Sequence, residues 1–201
     1  NGRSRWPDEY ETLERLGLEN LDALERDVAE LGIDAQVERT GMLSVAYEPH
    51  QVEWLREQES GEFLGETAVR AEIDSPIMRA GRWVQGEGVL VHPARLARGL
   101  AEAALALGVE VFEGSAVTRL RVDRSGPVEL ATAGGTVRAA QVALATNVFR
   151  SLLPSLRWST VPVYDYVLMT EPLSAEQRAS IGWHHRQGLG DLANQFHYSR
   201  Q

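Results

Sequence analysis

The strand-like tail Gln195 to Arg200 sets an aromatic ring, an imidazole and a guanidinium within four residues: His197, Tyr198 and Arg200. Alternate residues of a strand point to opposite faces, so Tyr198 and Arg200 share one face and His197 takes the other. That spacing argues against His197 as a base touching substrate. An Arg presents a planar fork that can pair both oxygens of a carboxylate. Tyr164 and Tyr166 share one face of a second expected strand, Thr160 to Thr170, and aromatic faces attract cations such as an ammonium group. Ala145, Thr146 and Asn147 close a third, where small residues let a ligand reach backbone N–H groups; strand ends are where α/β folds bind ligands. Plainer readings stand beside these: interior packing for the two tyrosines, a simple strand terminus at 145–147, and a surface Arg at a frayed end for Arg200.

Other chemistries are closed by composition. The 201 residues contain no Cys, which removes disulfides, thiolate metal sites and a cysteine nucleophile. All 20 basic residues are Arg, so a Lys-dependent phosphate loop or Schiff base is impossible. There is no Gly-x-Ser-x-Gly elbow. His184-His185-Arg186 invites a metal reading, but no third ligand has a sensible spacing, and a solvated loop is the simpler account. His50 and His92 flank prolines at helix starts and read as structural. The acidic residues from 8 to 30 read as the polar face of a helix. A net charge of −9 is the wrong sign for a non-specific nucleic-acid binder. No apolar run approaches the roughly 20 residues of a membrane-spanning helix, and no secretory leader pattern is visible, so a cytoplasmic location is expected. Residue 1 is Asn, which suggests a chain that was processed or cut.

The elements that must carry these residues follow from periodicity. Helices are expected over 7–31, 49–58, 66–73, 93–107 and 174–181, with Pro at three starts and Gly after several ends. A strand pair is expected at 37–39 and 42–47 around Thr40-Gly41, and short strands over 81–91. Strands are further expected at 109–112, 117–122, 128–132, 137–146, 160–170 and 195–200, with Gly134-Gly135 turning the chain between two of them. No repeat or low-complexity tract is present. The mixed order fits an α/β (α+β) domain interrupted by a second domain.

The tract Gly108-Val109-Glu110-Val111-Phe112, then Ser115-Ala116-Val117-Thr118, then Gln141-Val142-Ala143-Leu144-Ala145-Thr146-Asn147 resembles the middle of the FAD-dependent D-amino-acid oxidase (glycine oxidase-like) superfamily. The resemblance is nearer to the branch containing γ-glutamylputrescine oxidase-like proteins. It is carried by Arg5-Trp6-Pro7-Asp8-Glu9, Leu16-Gly17-Leu18-Glu19-Asn20-Leu21, Arg39-Thr40-Gly41, Glu48-Pro49-His50-Gln51, His92-Pro93-Ala94-Arg95-Leu96, Val161-Pro162-Val163-Tyr164, Thr170-Glu171-Pro172-Leu173 and Gln195-Phe196-His197-Tyr198.

The resemblance implies a partial FAD-binding domain with a β-meander, interrupted by a mixed-sheet substrate domain. It implies that Val117 lays its backbone against the adenine of FAD. It also implies that Ala145, Thr146 and Asn147 approach the cofactor, and that Arg200 holds a substrate carboxylate beside Tyr198. Many relatives have Gly where Asn147 stands. The implied reaction oxidises the C–N bond of a small-molecule amine or amino acid, with peroxide formed when oxygen reoxidises the flavin. The implied division is a helical join at 1–31, substrate-domain parts at 32–81 and 151–201, and the partial FAD domain at 82–150. The family's G-x-G-x-x-G turn and its C-terminal Gly-rich flavin segment are not found in this sequence. The chain is therefore expected to be an internal piece with weak or no FAD binding of its own. The alternative is a non-catalytic remnant that binds or dimerises through exposed strand edges.

Overall fold

The computed structural model describes residues 2–123, 126–149, 151–156 and 158–201. In chain order it contains α1 (Gly2–Arg5), α2 (Tyr10–Glu30), β1 (Met42–Ala46), α3 (Pro49–Glu57), β2 (Glu62–Gly65), α4 (Glu66–Glu72) and β3 (Ala80–Val84). There follow α5 (Pro93–Ala106), β4 (Arg119–Arg121), β5 (Val128–Thr132), β6 (Gly135–Ala139), a 3-10 turn at Pro154–Leu156, α6 (Ala175–Ile181), β7 (Gly188–Asp191) and β8 (Tyr198–Ser199). The architecture is α/β, as the sequence pattern implies. The chain divides into two compact units, Asn1–Leu107 with Glu171–Gln201, and Gly108–Thr170. The expected domain boundary at residue 150 falls on a residue outside the described set.

The first unit is built on a mixed five-stranded sheet in the order β2-β3-β1-β7-β8. Its centre, β1, pairs antiparallel with β3 (Leu43 opposite Trp83) and parallel with β7 (Leu43 opposite Leu189). The two-residue period of β1 sorts its side chains between two cores. Leu43 and Val45 bury against Leu64, Val69, Ile73 and Met78 on one side. Ala46 joins Leu55 and Ala80 on the other. Gly81 is required by this packing, since a Cβ there would stand 2.8 Å from Val69 Cγ2 and 3.0 Å from Leu43 Cδ1.

The helix starts are written locally. Pro49 opens α3, and Gln51 Oε1 accepts from Tyr47 N (2.8 Å) and Glu48 N (3.0 Å), one half of a capping box. Ser174 and Gln177 form the same device at α6. At α5, His92 Nδ1 accepts from Arg95 N.

The expected strand pair across Thr40-Gly41 does not form. Glu38 instead bridges Leu90, and β1 turns to β3 and β7. Gly41 makes that path possible: its φ is +73°, and a Cβ there would lie 2.2 Å from the Val84 carbonyl oxygen.

The second unit is the expected antiparallel meander β4-β5-β6. The expected strands at 109–112 and 160–170 are absent, and that at 137–146 ends at Ala139. These stretches find no ladder partner among the described residues, and strand conformation without a ladder leaves N–H and C=O groups to water. Their apolar side chains are uncovered: Phe112 is 72% exposed and Leu168 97%.

Candidate functional site

The site residues of the first unit stand on the β7–β8 hairpin, whose approach is set by packing. Gly188 enters β7 directly over Met42, and a Cβ there would lie 2.4 Å from Met42 Sδ. Just upstream, Trp183 Nε1 donates to Gln187 O (3.0 Å) and Thr40 Oγ1 to Arg186 O (3.2 Å). Glu72, at the end of α4, gathers this loop. Its Oε2 lies 2.7 Å from His185 Nδ1 and accepts from Gln187 Nε2 at 3.3 Å. Gln187 is fully buried, and its Oε1 has no partner. The His185 ring lies 4.8 Å from that of Trp83. The expected solvated loop at His184-His185 is thus half anchored. Among the described residues no three potential ligands gather to hold a metal.

Beyond Gly188 the chain runs parallel to β1 as far as Asp191, and then turns. The Asp191 side chain is 2% exposed and fully engaged. Oδ1 accepts from Ala193 N at 2.9 Å, while Oδ2 accepts from His197 N at 3.2 Å and meets His197 Nδ1 at 2.8 Å. Burial pushes the carboxyl up, but the Ala193 and His197 hydrogen bonds outweigh it and hold the group below the usual carboxylate range. The carboxylate is therefore ionised at neutral pH, and His197 Nδ1 must donate. Asp191 in turn reinforces burial in pushing the Tyr47 phenol up.

The returning strand carries the expected substrate residues. Tyr198 pairs opposite Gly190 and lies 5.8 Å from the Phe196 ring. One residue past the ladder, Arg200 Nη1 donates to Val91 O. Tyr198 and Arg200 are thus brought to one strand end, with His197 turned to Asp191.

The remaining expected residues lie in the second unit. Tyr164 and Tyr166 are 79% and 96% exposed on a stretch without a ladder. Val117 is half-buried where the chain enters the meander, next to Thr118, whose N–H donates to Ala131 O at 2.9 Å. Ala145, Thr146 and Asn147 are exposed. They end in a tight turn: Thr146 O accepts from Phe149 N, and Asn147 Oδ1 from Val148 N at 2.7 Å. Asn147 has φ +52°, the left-handed region where Gly would serve as well.

Two depressions, of about 180 and 150 Å³, lie on the meander and involve none of these residues. Both are small beside the several hundred Å³ of a ligand pocket.

The fit to FAD is partial. Val117 is only half-buried and residues 145–147 are exposed, so they are open to contact. The pyrophosphate has no cradle among the described residues. Gly188-x-Gly190-x-x-Ala193 has the letters of a dinucleotide turn, but Gly188 to Asp191 is itself a strand and no helix follows it. The N-terminus of α5 is closed by Pro93 and His92.

The first unit is thus a mixed sheet with an Arg at a strand end, and the second is a three-stranded meander. Comparison with known proteins supplies the family. The model of the DAO family, FAD-dependent oxidoreductases, matches residues 2–200. The chain belongs to this family. It is 29% identical over 189 residues to the probable oxidoreductase OrdL of Haemophilus influenzae, covering 87% of this chain and 43% of that protein. It is 32% identical over 154 residues to the γ-glutamylputrescine oxidoreductase of Escherichia coli K12, covering 71% of this chain and 35% of that one. The chain therefore spans less than half the length of these curated relatives. In fold it resembles the glycine oxidase of Geobacillus kaustophilus (TM-score 0.58, 23% identity, 71% of this chain and 40% of that one). It also resembles the L-proline dehydrogenase of P. horikoshii (TM-score 0.60, 13% identity, 89% and 49%).

Sequence reasoning missed Asp191, Glu72, Gln187 and Arg82. Arg82 is buried, with Nε donating to Leu55 O (2.6 Å) and Nη1 to Ser60 O and Gly61 O (both 2.9 Å). None has a local signal, because outside Asp191's own turn the partners of these side chains are remote in sequence.

Proposed function

We propose that this chain is part of an FAD-dependent oxidoreductase that oxidises the C–N bond of an amine or amino acid. The observation that carries the reading is Arg200 standing with Tyr198 at the end of β8, in a chain of the DAO family. The Arg200 fork would pair a substrate carboxylate, exchanging its Val91 carbonyl contact for two charge-assisted bonds. Tyr198 would present its ring to the carbon chain or the amine. Tyr164 and Tyr166, both exposed, offer aromatic faces to a cationic amine. Val117, Ala145, Thr146 and Asn147 would flank FAD through their backbone. When bound, FAD supplies the hydride acceptor, and its reoxidation by oxygen yields hydrogen peroxide. The described residues do not complete the pyrophosphate grip.

The test uses the polypeptide encoded by the whole reading frame that contains this chain, assayed for amine-dependent peroxide. Arg200→Ala is expected to raise KM for an amino-acid substrate about 30- to 160-fold, the loss of one charge-assisted pair of about 2–3 kcal/mol. An unchanged KM would remove Arg200 from the site.

A second reading has its own support. The chain exposes 15658 Å². A compact monomer of its mass exposes about 9,400 Å², and even two separate domains of the sizes of its units about 11,000 Å². A non-catalytic module that dimerises through its strand edges would cover part of this excess. A dimer mass in solution together with a colourless protein would favour it.

A further inference from the structure

We propose that Asp191 and His197 form a positioning pair that holds the turn between β7 and β8 closed and so sets the place of Tyr198 and Arg200. This rests on the reading of Arg200 as the carboxylate holder.

The strand to be positioned is weak by itself. The β8 strand is two residues long and lies at the edge of the sheet, with only two paired positions, Leu189–Ser199 and Gly190–Tyr198. Short edge pairs of this kind open with little free energy. What closes the turn is Asp191. Its carboxylate collects Ala193 N, His197 N and His197 Nδ1, and its own N–H donates to His197 O at 3.1 Å. The His197 side chain is 83% exposed, so packing does not hold it in place; the carboxylate does. A buried carboxylate is tolerable only with such a donor set, which ties the ionised state of Asp191 to the closed turn. Arg200 follows three residues after His197, beyond the Leu189–Ser199 pair, so the turn sets where its short strand begins. His197 thus acts through Arg200 and need not touch substrate, in keeping with its place on the opposite face.

The experiment uses the ¹⁵N-labelled 201-residue chain with sodium acetate as the carboxylate probe. Acetate affinity is read from the shifts of the Tyr198 and Ser199 backbone amide signals, which every variant retains, and amide exchange across 189–199 reports the hairpin. Loss of one to two net hydrogen bonds in Asp191→Asn is expected to lower hairpin protection and acetate affinity about tenfold, with β1–β3 protection unchanged as the control for folding. His197→Asn, whose amide N–H can stand where Nδ1–H stood, is expected to keep both within about twofold, whereas His197→Leu loses both. A hairpin that loosens while acetate affinity stays the same overturns the proposal, because the pair is then only structural. Unchanged affinity in Asp191→Asn, with Arg200→Ala abolishing it, overturns the pair alone. Unchanged acetate binding in Arg200→Ala overturns the substrate reading of Arg200, and the proposal with it.

Discussion

Single residues decide the first unit where they bind backbone that nothing else can reach. Arg82 is the clearest case: three carbonyls at the end of α3 and in the following loop depend on its guanidinium. Arg82→Met would remove all three bonds and leave the buried Leu55 carbonyl without its donor, with an expected loss of about 1–3 kcal/mol in urea unfolding. Gly41→Ala, at φ +73° against the Val84 carbonyl, is expected to lose about 2 kcal/mol or more in the same measurement. Asn147→Gly should be neutral, since φ +52° suits glycine.

Asp191 gives a pH dependence with a definite sign. Its folded pKa is lowered, so its contribution is fully present above the unfolded value of about 3.9 and is lost as pH falls through the folded one. Amide protection across 189–199 should therefore be flat through mild acid and collapse only below about pH 4. In Asp191→Asn that acid step should disappear. The placing of Tyr198 and Arg200 on one strand end was visible in the sequence from the alternation of its residues. Asp191 was not, since an Asp in a turn looks the same whether its carboxylate is in water or buried.

At the scale of elements, legibility follows the range of the cause. The helices could be read to within a few residues because Pro49, Gln51, Pro93, Ser174 and Gln177 act locally. The meander was legible because a two-residue turn joins neighbouring strands, here Thr132 to Gly135. The pairing of β1 was not, since its partners lie about 40 and 145 residues away and a Thr-Gly pair suggests a hairpin just as well. The stretches at 109–112 and 160–170 have strand composition but no ladder. They follow the rule that β-propensity measures fit to a half-buried surface, and here that surface is absent among the described residues. Their amides should exchange at rates close to those of unstructured peptide, while β1 and β3 stay protected; protection at 160–170 would show that a partner covers it.

For the whole molecule, the family match and the surface area point the same way. The chain covers 43% and 35% of two longer relatives and exposes several thousand Å² more than a self-contained protein of its mass. Uncovered apolar side chains on α2 and α5, such as Leu13, Leu16, Leu100 and Leu105, belong to the same excess. Among the described residues no helix is long and apolar enough to cross a membrane. The proposed function needs cofactor-flanking backbone at Val117 and 145–147, and a carboxylate contact at Arg200 on the β7–β8 hairpin. The measurement that tests this most directly is the flavin spectrum of two proteins purified side by side, this chain and the product of the complete reading frame, followed by anaerobic addition of amines and amino acids. The expected result is no bound flavin in the short chain, stoichiometric flavin in the long one, and bleaching near 450 nm that Arg200→Ala weakens for carboxylate-bearing substrates. Stoichiometric flavin in the short chain, or a long chain whose flavin no amine or amino acid bleaches, would contradict it.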